Sequence, residues 1–169
     1  DYFFNLGVAY FEQKKFIDAI ENLSRVLAIC PFYYKAYLIL GTAYLKIRKF
    51  EFAQKYLHKS ILYDKSNPLS YLNLGAVDSI LKLYDEAIKM FEKAIQISPK
   101  EARAYLGLAK IYSTIGKIEQ ANDLFKKVIE LDTKGNLANY AKKSIVLLSR
   151  QESNNIDSET SIKEINGHP

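Results

Sequence analysis

Cys30, His58 and His168 belong to the residue types that most often carry nucleophilic or metal chemistry. One cysteine cannot form an internal disulfide, and the two histidines stand far apart without the spacing that metal ligands need. Cys30 follows an apolar residue at the end of a predicted helix, so we interpret it as a small, partly buried turn residue rather than a reactive thiol. We therefore predict no metal site.

The other polar residues form no catalytic pattern either. The seven glycines never cluster into a loop that could cradle a phosphate. Aspartate and glutamate are abundant, but on regularly repeating helices such side chains usually face solvent. We therefore predict that the protein is not an enzyme and that it needs no cofactor.

The composition indicates a folded domain without a nucleic-acid or membrane partner. Hydrophobic residues make up 49% of the 169 residues, which is enough for a core. Basic residues (24) exceed acidic ones (19) only moderately and are spread along the sequence, and lysine outnumbers arginine, the residue that reads bases by bidentate contacts. No apolar run approaches the ~20 residues of a membrane span.

The first residue is not methionine and already lies within the first predicted helix. We therefore expect the chain to be an excerpt of a longer protein, with any N-terminal targeting region outside it. The residues at hand favour a soluble, cytoplasmic location over the alternatives.

Small and apolar residues recur at one fixed interval along the sequence. A regular interval of this kind is typical of stacked supersecondary units, each of which buries its apolar face against its neighbours. Four positions keep the interval: glycine at 7, 41 and 75; alanine at 19, 53, 87 and 121; leucine at 6, 40, 74 and 108; and an aromatic residue at 3, 37, 71 and 105.

Each unit predicts two helices joined by a tight turn. Apolar residues recur at steps of three and four within each half of the unit, which is helical spacing. A glycine or alanine stands where the two helices must cross, and it allows their backbones to approach closely although glycine inside a helix costs ~1 kcal/mol. The predicted helices span 2–14, 16–29, 35–48, 50–63, 69–82, 84–97, 102–115 and 118–131.

These residues resemble the tetratricopeptide repeat (TPR) family, in which an aromatic residue, Leu-Gly, Tyr, Ala, a further bulky residue and Pro follow one another in each repeat. The departures are Lys65 in place of proline, Asp78 in place of tyrosine, and Ile118 and Thr133 in the fourth repeat. The resemblance implies an all-α fold, a right-handed α-solenoid of TPR helix-turn-helix repeats, that acts as a protein-interaction scaffold. Clear matches are Leu6, Gly7, Tyr10, Ala19, Leu40, Gly41, Tyr44, Ala53, Leu74, Gly75, Ala87, Leu108, Tyr112 and Ala121.

The repeats are predicted to occupy residues 1–150 as one domain. Asn139 and Lys143 replace the aromatic residue and the glycine after the fourth repeat, so we expect a lone capping helix there. The polar residues that follow carry a net charge of −3 and keep no period, so we expect a disordered tail. The boundaries are 1–34, 35–67, 68–101 and 102–135 for the repeats, 136–150 for the cap and 151–169 for the tail.

Stacked helix pairs curve and leave a concave face lined by the first helix of each pair. The residues between the core positions of these helices are largely apolar, so we predict a groove that binds a peptide or an amphipathic helix of another protein. For Phe11, Leu45 and Leu69, packing against neighbouring helices is an equal alternative. The predicted groove residues are Phe4, Asn5, Val8, Phe11, Leu38, Ile39, Thr42, Leu45, Lys46, Leu69, Leu72, Asn73, Ala76, Ile80, Leu106 and Lys110.

Some TPR proteins bind the C-terminal carboxylate of a chaperone through a Lys–Asn pair one helical turn apart. The matching positions here are Phe4 with Val8 in the first repeat, and no later repeat supplies the pair. We therefore reject this clamp. Asp78, in the place of a core tyrosine, is expected to reach solvent or to contact Lys46 or Lys110.

Two other functions remain open. The chain could assemble with copies of itself, as a homo-oligomer, through exposed ends of the repeat stack, because Phe3, Phe4 and Phe16 would be uncovered there. It could also shield apolar segments of other proteins in the manner of a chaperone. Light scattering across concentrations separates self-assembly from the other two.

Overall fold

The structure is a computed structural model that describes residues 2–165, with side chains described as far as residue 150. Within this range the chain forms helices and no strand. Their starts and ends lie within about two residues of the predicted bounds as far as α8. The helices are α1 (Tyr2–Glu12), α2 (Phe16–Ile29), α3 (Tyr34–Lys46), α4 (Phe50–Tyr63), α5 (Pro68–Ile80), α6 (Tyr84–Ile97), α7 (Ala102–Thr114), α8 (Ile118–Leu131) and α9 (Asn136–Ile165).

Helix α5 shows how local sequence sets a helix start. The side chain of Asn67 accepts a hydrogen bond from the backbone N–H of Leu69 at 3.0 Å. Pro68 occupies the first turn, where its missing N–H costs nothing and its fixed φ suits the helix. These two residues therefore fix the start of α5.

The turn inside each repeat has the same backbone geometry. Lys14, Arg48, Lys82 and Gly116 occupy the same position in successive repeats and all have positive φ, between 61° and 79°. The residue after each of them donates its N–H to a carbonyl five residues earlier, for example from Lys49 to Tyr44 at 2.9 Å. These bonds satisfy carbonyl groups that the helix end would leave without partners.

The two helices of each early hairpin approach closely at glycine. A Cβ atom added at Gly41 would lie 2.8 Å from Cγ of Leu57, and one at Gly7 would lie 2.8 Å from Cγ of Leu23. At Gly75 the nearest atom is Cε1 of Phe91 at 3.0 Å. The recurring glycine thus has the packing role that the sequence predicts, because any side chain there would overpack the hairpin.

The chain divides into two compact units, residues 1–104 and 105–169, and the boundary lies inside α7. In unit 1, α1 pairs with α2, α3 with α4 and α5 with α6, while α3 also contacts α1, α2 and α5. The predicted repeat boundaries stay predictions.

Two apolar clusters lie between the hairpins of unit 1. The first joins α2 to α3 and includes Leu23 and Leu40, both fully buried. The second joins α4 to α5 and includes Leu57 and Leu74, which are also fully buried. Since the same positions supply each cluster, one packing solution is repeated along unit 1.

Tyrosines tie the connecting loops of unit 1 to the following helix. The hydroxyl of Tyr37 donates to the carbonyl of Pro31 at 2.7 Å, and that of Tyr71 donates to the carbonyl of Lys65 at 3.3 Å. Burial raises the pKa of both phenols, so both stay protonated and able to donate at neutral pH.

Unit 2 contains an apolar cluster around Phe125, which is 2% exposed and packs with Val128 and Ala141. The carboxylate of Asp132 accepts hydrogen bonds from the N–H groups of Leu137 and Ala138 at 2.9 and 3.2 Å, which caps the start of α9.

Helix α9 corrects the predicted end of the capping helix. It continues to Ile165 rather than ending at residue 150, because no glycine or proline interrupts the sequence before Gly167. The expected disordered tail therefore begins with helical backbone, and its last residues, 166–169, lie outside the described residues. Among the helices described, none has the length and apolar character that crossing a membrane requires.

We expect Lys82→Gly to raise the free energy of unfolding by about 1 kcal/mol or less. Lys82 has a left-handed backbone conformation, which glycine adopts without the steric strain that a side chain causes. Lys89→Gly is the matched control, since Lys89 is exposed in the interior of α6 and glycine there should cost about 1 kcal/mol. Urea unfolding followed by circular dichroism measures both. Equal losses in the two variants would contradict the role given to the turn geometry.

Candidate partner-binding surface

Most of the predicted groove residues lie on three helices of unit 1. The members on α1 are Phe4, Asn5, Val8 and Phe11; those on α3 are Leu38, Ile39, Thr42, Leu45 and Lys46; those on α5 are Leu69, Leu72, Asn73, Ala76 and Ile80. Helix α3 contacts both α1 and α5, so the three helices lie side by side. Leu106 and Lys110 belong to unit 2 and are described with it.

One pocket of about 240 Å³ brings three predicted residues together. Phe4 of α1 and Leu38 and Ile39 of α3 form its apolar lining, and all three are half-buried. Its remaining lining comes from Tyr34, Lys35, Ser60, Asp64 and Asn67. An apolar floor with a few polar groups around it suits one bulky apolar side chain of a partner.

The side chains that line this pocket are held by packing behind them. Phe4 lies 4.9 Å from Tyr33, measured between ring centroids, and packs with Ile39 on the cluster between α2 and α3. Leu38 packs on the cluster between α4 and α5. The pocket is therefore preformed, because its lining is fixed from below by the two cores of unit 1.

The predicted residues of α5 differ in exposure. Leu69 and Ile80 are 38% and 49% exposed, as a partner-binding position requires. Leu72 is only 6% exposed, so for this residue the chain itself already covers the side chain. Leu72 was also predicted as a groove residue, but almost none of its side chain is open to a partner.

Phe11 and Leu45, which could either line the groove or pack against neighbouring helices, both make packing contacts within the chain. The ring of Phe11 packs edge-on against Phe16, with centroids 5.5 Å apart, at the turn between α1 and α2. Leu45 packs partly buried on the cluster between α4 and α5. Val8 and Ala76 are half-buried as well. These four residues offer only part of their surface to a partner.

A chain of hydrogen bonds links α5 to α3. Nδ2 of Asn73 donates to Oγ1 of Thr42 at 2.9 Å, and that hydroxyl donates to the carbonyl of Leu38 at 2.7 Å. The two predicted polar residues thus bind one another, and they fix the position of α3 against α5. Asn5 and Lys46 are exposed.

In unit 2, the two predicted residues are used differently. Leu106 packs half-buried on the cluster around Phe125. The ammonium group of Lys110 lies 4.4 Å from the centroid of the Tyr140 ring, within the range of a cation–π contact. Lys110 and Tyr140 also line a cavity of about 380 Å³ together with Ser113, Thr114, Ser144 and Leu147.

Asp78 does not reach solvent, and it forms no ion pair with Lys46 of the same unit. It is 2% exposed, and its Oδ1 accepts a hydrogen bond from Nε2 of Gln54 at 2.7 Å. Burial raises the pKa of its carboxyl above the usual range, and the bond from Gln54 opposes this shift in part. The predictions of solvent exposure and of a contact with Lys46 are therefore wrong, because the carboxyl is buried and Gln54 of α4 supplies its partner.

Six aromatic rings form a continuous series in unit 1 that the sequence analysis missed. Neighbouring centroids are 5.2 to 6.3 Å apart. A comparison of α4 with α2 would have found them, since α4 has aromatic residues at 52, 56 and 63 where α2 has Asp18, Asn22 and Ile29. In order, the rings are Phe32, Tyr63, Tyr37, Tyr56, Tyr44 and Phe52.

Cys30 is exposed rather than partly buried, because it lies beyond the last turn of α2. His58 is exposed on α4. Within the part of the chain that the structure describes, no group of three or more His, Cys, Asp or Glu residues could hold a metal ion.

Comparison with known proteins identifies the class. Two family models, each described as tetratricopeptide repeat, match residues 67–134 and residues 1–33. Together with the repeated hairpins, these matches show that the chain belongs to the tetratricopeptide repeat family, and the predicted family and fold are confirmed. No curated protein matches the sequence significantly.

The similar solved structures include several of MamA. A crystal structure of MamA is 31% identical, with a TM-score of 0.74, over 78% of this chain and 77% of that chain. A crystal structure of MamA protein is 23% identical, with a TM-score of 0.81, over 95% of this chain and 86% of that chain. MamA 41-end from Desulfovibrio magneticus RS-1 is 21% identical, with a TM-score of 0.74, over 79% and 76%. The last two similarities concern the fold alone.

We expect Asp78→Asn to raise the free energy of unfolding at pH 7, because asparagine can still accept the bond from Gln54 without burying a charge. The raised pKa means that the folded chain binds the proton more tightly, so the penalty of Asp78 vanishes as the pH falls through that pKa. Urea unfolding at pH 7 and pH 4 should show the gain shrinking at the lower pH.

The control for this prediction is Asp85→Asn. Asp85 is exposed in the first turn of α6, where a negative charge is favourable at neutral pH, so its loss should lower stability slightly. A gain for Asp78→Asn of the same size at both pH values would contradict the buried-charge explanation.

Proposed function

We propose that unit 1 is a non-catalytic module that binds a segment of another protein across α1, α3 and α5. The observation that carries this proposal is the pocket formed by Phe4, Leu38 and Ile39. Membership in the tetratricopeptide repeat family supports a role in protein–protein interaction as a scaffold.

The partner segment is either an extended peptide or an amphipathic helix with one bulky apolar anchor. The anchor fills the pocket, and exposed Leu69 and Ile80 on α5 offer further apolar contact. Apolar burial contributes roughly 25 cal/mol per Å², so a single well-buried anchor supplies about 1.5–3 kcal/mol. A few such anchors dominate the affinity of most interfaces.

Polar groups at the pocket can set the direction of the bound segment. Lys35 is exposed and Asp64 half-buried, and both belong to the lining. A cation and a carboxylate at one pocket favour a partner that has opposite charges on the two sides of its anchor. Charges at the rim of a binding site add little affinity. Lys35 and Asp64 therefore act mainly on the position and direction of the bound segment.

Self-assembly is the second candidate, favoured by large apolar side chains exposed in the first repeat. Tyr2, Ile29 and Phe32 are each 73% exposed, and Ile17 is 65% exposed. Tyr2 and Ile29 also line a cavity of about 270 Å³ with Phe3, Phe4, Val26, Cys30 and Tyr33. A second copy packed on this face would make the chain a homo-oligomer.

We expect Leu38→Asp to weaken the binding of peptides selected from a display library on the full chain by roughly tenfold or more, because it places a charge in the apolar pocket. Leu62→Asp is the matched control, since Leu62 is 66% exposed on α4 and outside this pocket. Fluorescence anisotropy of labelled peptides measures both affinities.

Circular dichroism melting checks that both variants fold, and Leu38→Ala replaces Leu38→Asp if the latter does not. Equal affinities of wild type and the Leu38 variant would refute the pocket as the anchor site. Sedimentation that shows a dimer of wild type, but a monomer when Phe32→Asp is introduced, would favour self-assembly instead.

A further inference from the structure

Helix α4 carries a face that differs from those of the other second helices of the repeats. Phe52, Lys55, Lys59 and Tyr63 follow each other at three- and four-residue steps, so they share one side of the helix. The two lysines are exposed, and Phe52 and Tyr63 are 48% and 41% exposed. We call this set the lysine–aromatic face.

On α2, the positions equivalent to Lys55 and Lys59 hold two opposite charges that pair with each other. Glu21 and Arg25 stand one repeat before Lys55 and Lys59, and they form an ion pair at 2.7 Å. On α4 the same two positions hold like charges one turn apart, which costs a helix about 0.2–0.5 kcal/mol. The two lysines therefore gain no stability from each other, unlike the ion pair at the same positions of α2.

The lysines at the same positions of α6 have acidic neighbours. Lys89 and Lys93 share their helix with Asp85, Glu86 and Glu92. On α8, Lys126 pairs with Asp123 at 3.0 Å and Lys127 with Glu130 at 2.7 Å. Only Glu51 and the C-cap Asp64 bring negative charge to α4.

Positive charge is concentrated around α4. Residues 35–67 contain seven basic residues and two acidic ones, whereas the first repeat has three basic and four acidic residues and the third has four and five. Among the side chains that the structure describes, none of the seven forms an ion pair within 4.0 Å. They are Lys35, Lys46, Arg48, Lys49, Lys55, Lys59 and Lys65.

The aromatic rings hold the lysines of this face in place. The ammonium group of Lys59 lies 5.4 Å from the centroid of Tyr37, and that of Lys55 lies 6.0 Å from the centroid of Tyr56. Both rings belong to the aromatic series and are themselves stacked on neighbours. Lysines restrained in this way lose less rotamer freedom when an anion binds them.

We propose that the lysine–aromatic face binds a carboxylate-rich segment of a partner protein. Its carboxylates pair with Lys55 and Lys59, and its apolar atoms rest on the exposed edges of Phe52 and Tyr63. Charge complementarity identifies this occupant, because seven basic residues stand against two acidic ones in this repeat and none of the seven forms an ion pair within 4.0 Å. The lysine–aromatic face shares no residue with the lining of the pocket formed by Phe4, Leu38 and Ile39.

The geometry favours an acidic protein segment over a nucleic acid. Arg48 is the single arginine among the seven basic residues, whereas nucleic-acid readers rely on the planar guanidinium. Binding of single strands needs open ring faces on which bases stack. On this face, Phe52 stacks on Tyr44, and Tyr63 stacks on Tyr37 and contacts Phe32, so part of the surface of both rings is already taken.

The test uses the full chain and a labelled peptide of alternating glutamate and glycine, followed by fluorescence anisotropy. We expect the peptide to bind with an affinity that falls as salt rises, and the matching glutamine–glycine peptide not to bind. Lys55→Gln/Lys59→Gln should weaken binding roughly tenfold. Lys126→Gln/Lys127→Gln removes the same net charge from α8 and should leave the affinity unchanged.

Equal weakening by the two double variants would overturn the proposal, since net charge alone would then explain binding. Tighter binding of an oligothymidine, lost with the same two lysines, would overturn it in favour of nucleic acid. Self-association of the wild type, abolished by Lys55→Gln/Lys59→Gln in sedimentation, would identify a second copy as the occupant. Leu38→Asp should keep the glutamate peptide bound, which separates this surface from the proposed function.

Discussion

Every hairpin of unit 1 depends on one close contact between its two helices. At Gly41 even a methyl group would meet Leu57 at 2.8 Å, and Gly7 and Gly75 have the same relation to Leu23 and Phe91. The missing side chain sets the distance between the helices, and that distance decides which neighbouring positions are buried. The glycine therefore recurs in all three hairpins of unit 1, while residues on the outer faces are free to differ from one repeat to the next.

The repeated contact explains why so much of the fold could be predicted from the sequence. The spacing of apolar residues in a helix is a local pattern, and four copies of it at one interval strengthen the prediction. The predicted bounds of α1 to α8 therefore lie close to the observed ones. The turn geometry could not be predicted, because the sequence does not reveal that Lys14, Arg48 and Lys82 adopt the same positive φ as Gly116. Their geometry is imposed by the two helices that they join rather than by their own preference.

The candidate surface was less predictable, because exposure depends on neighbours in space. Leu38 and Leu72 occupy the same position in successive repeats, yet Leu72 is buried and Leu38 lines a pocket. Asp78 was misplaced for the same reason, since its partner Gln54 lies on a different helix. The lysine–aromatic face could not be predicted from the repeat pattern, because its residues differ from those at the same positions of the first repeat.

The stacked rings of unit 1 also have an optical consequence. The sequence has no tryptophan, and ten of its 13 tyrosines lie in residues 1–104. Tyr37, Tyr44, Tyr56 and Tyr63 are stacked in a fixed arrangement, and Tyr44 and Tyr56 pack on the cluster that joins α2 to α3. Near-ultraviolet circular dichroism depends on such fixed aromatic packing. The tyrosine band is thus a built-in spectroscopic reporter of the contact between the second hairpin and the first, and it requires no added label.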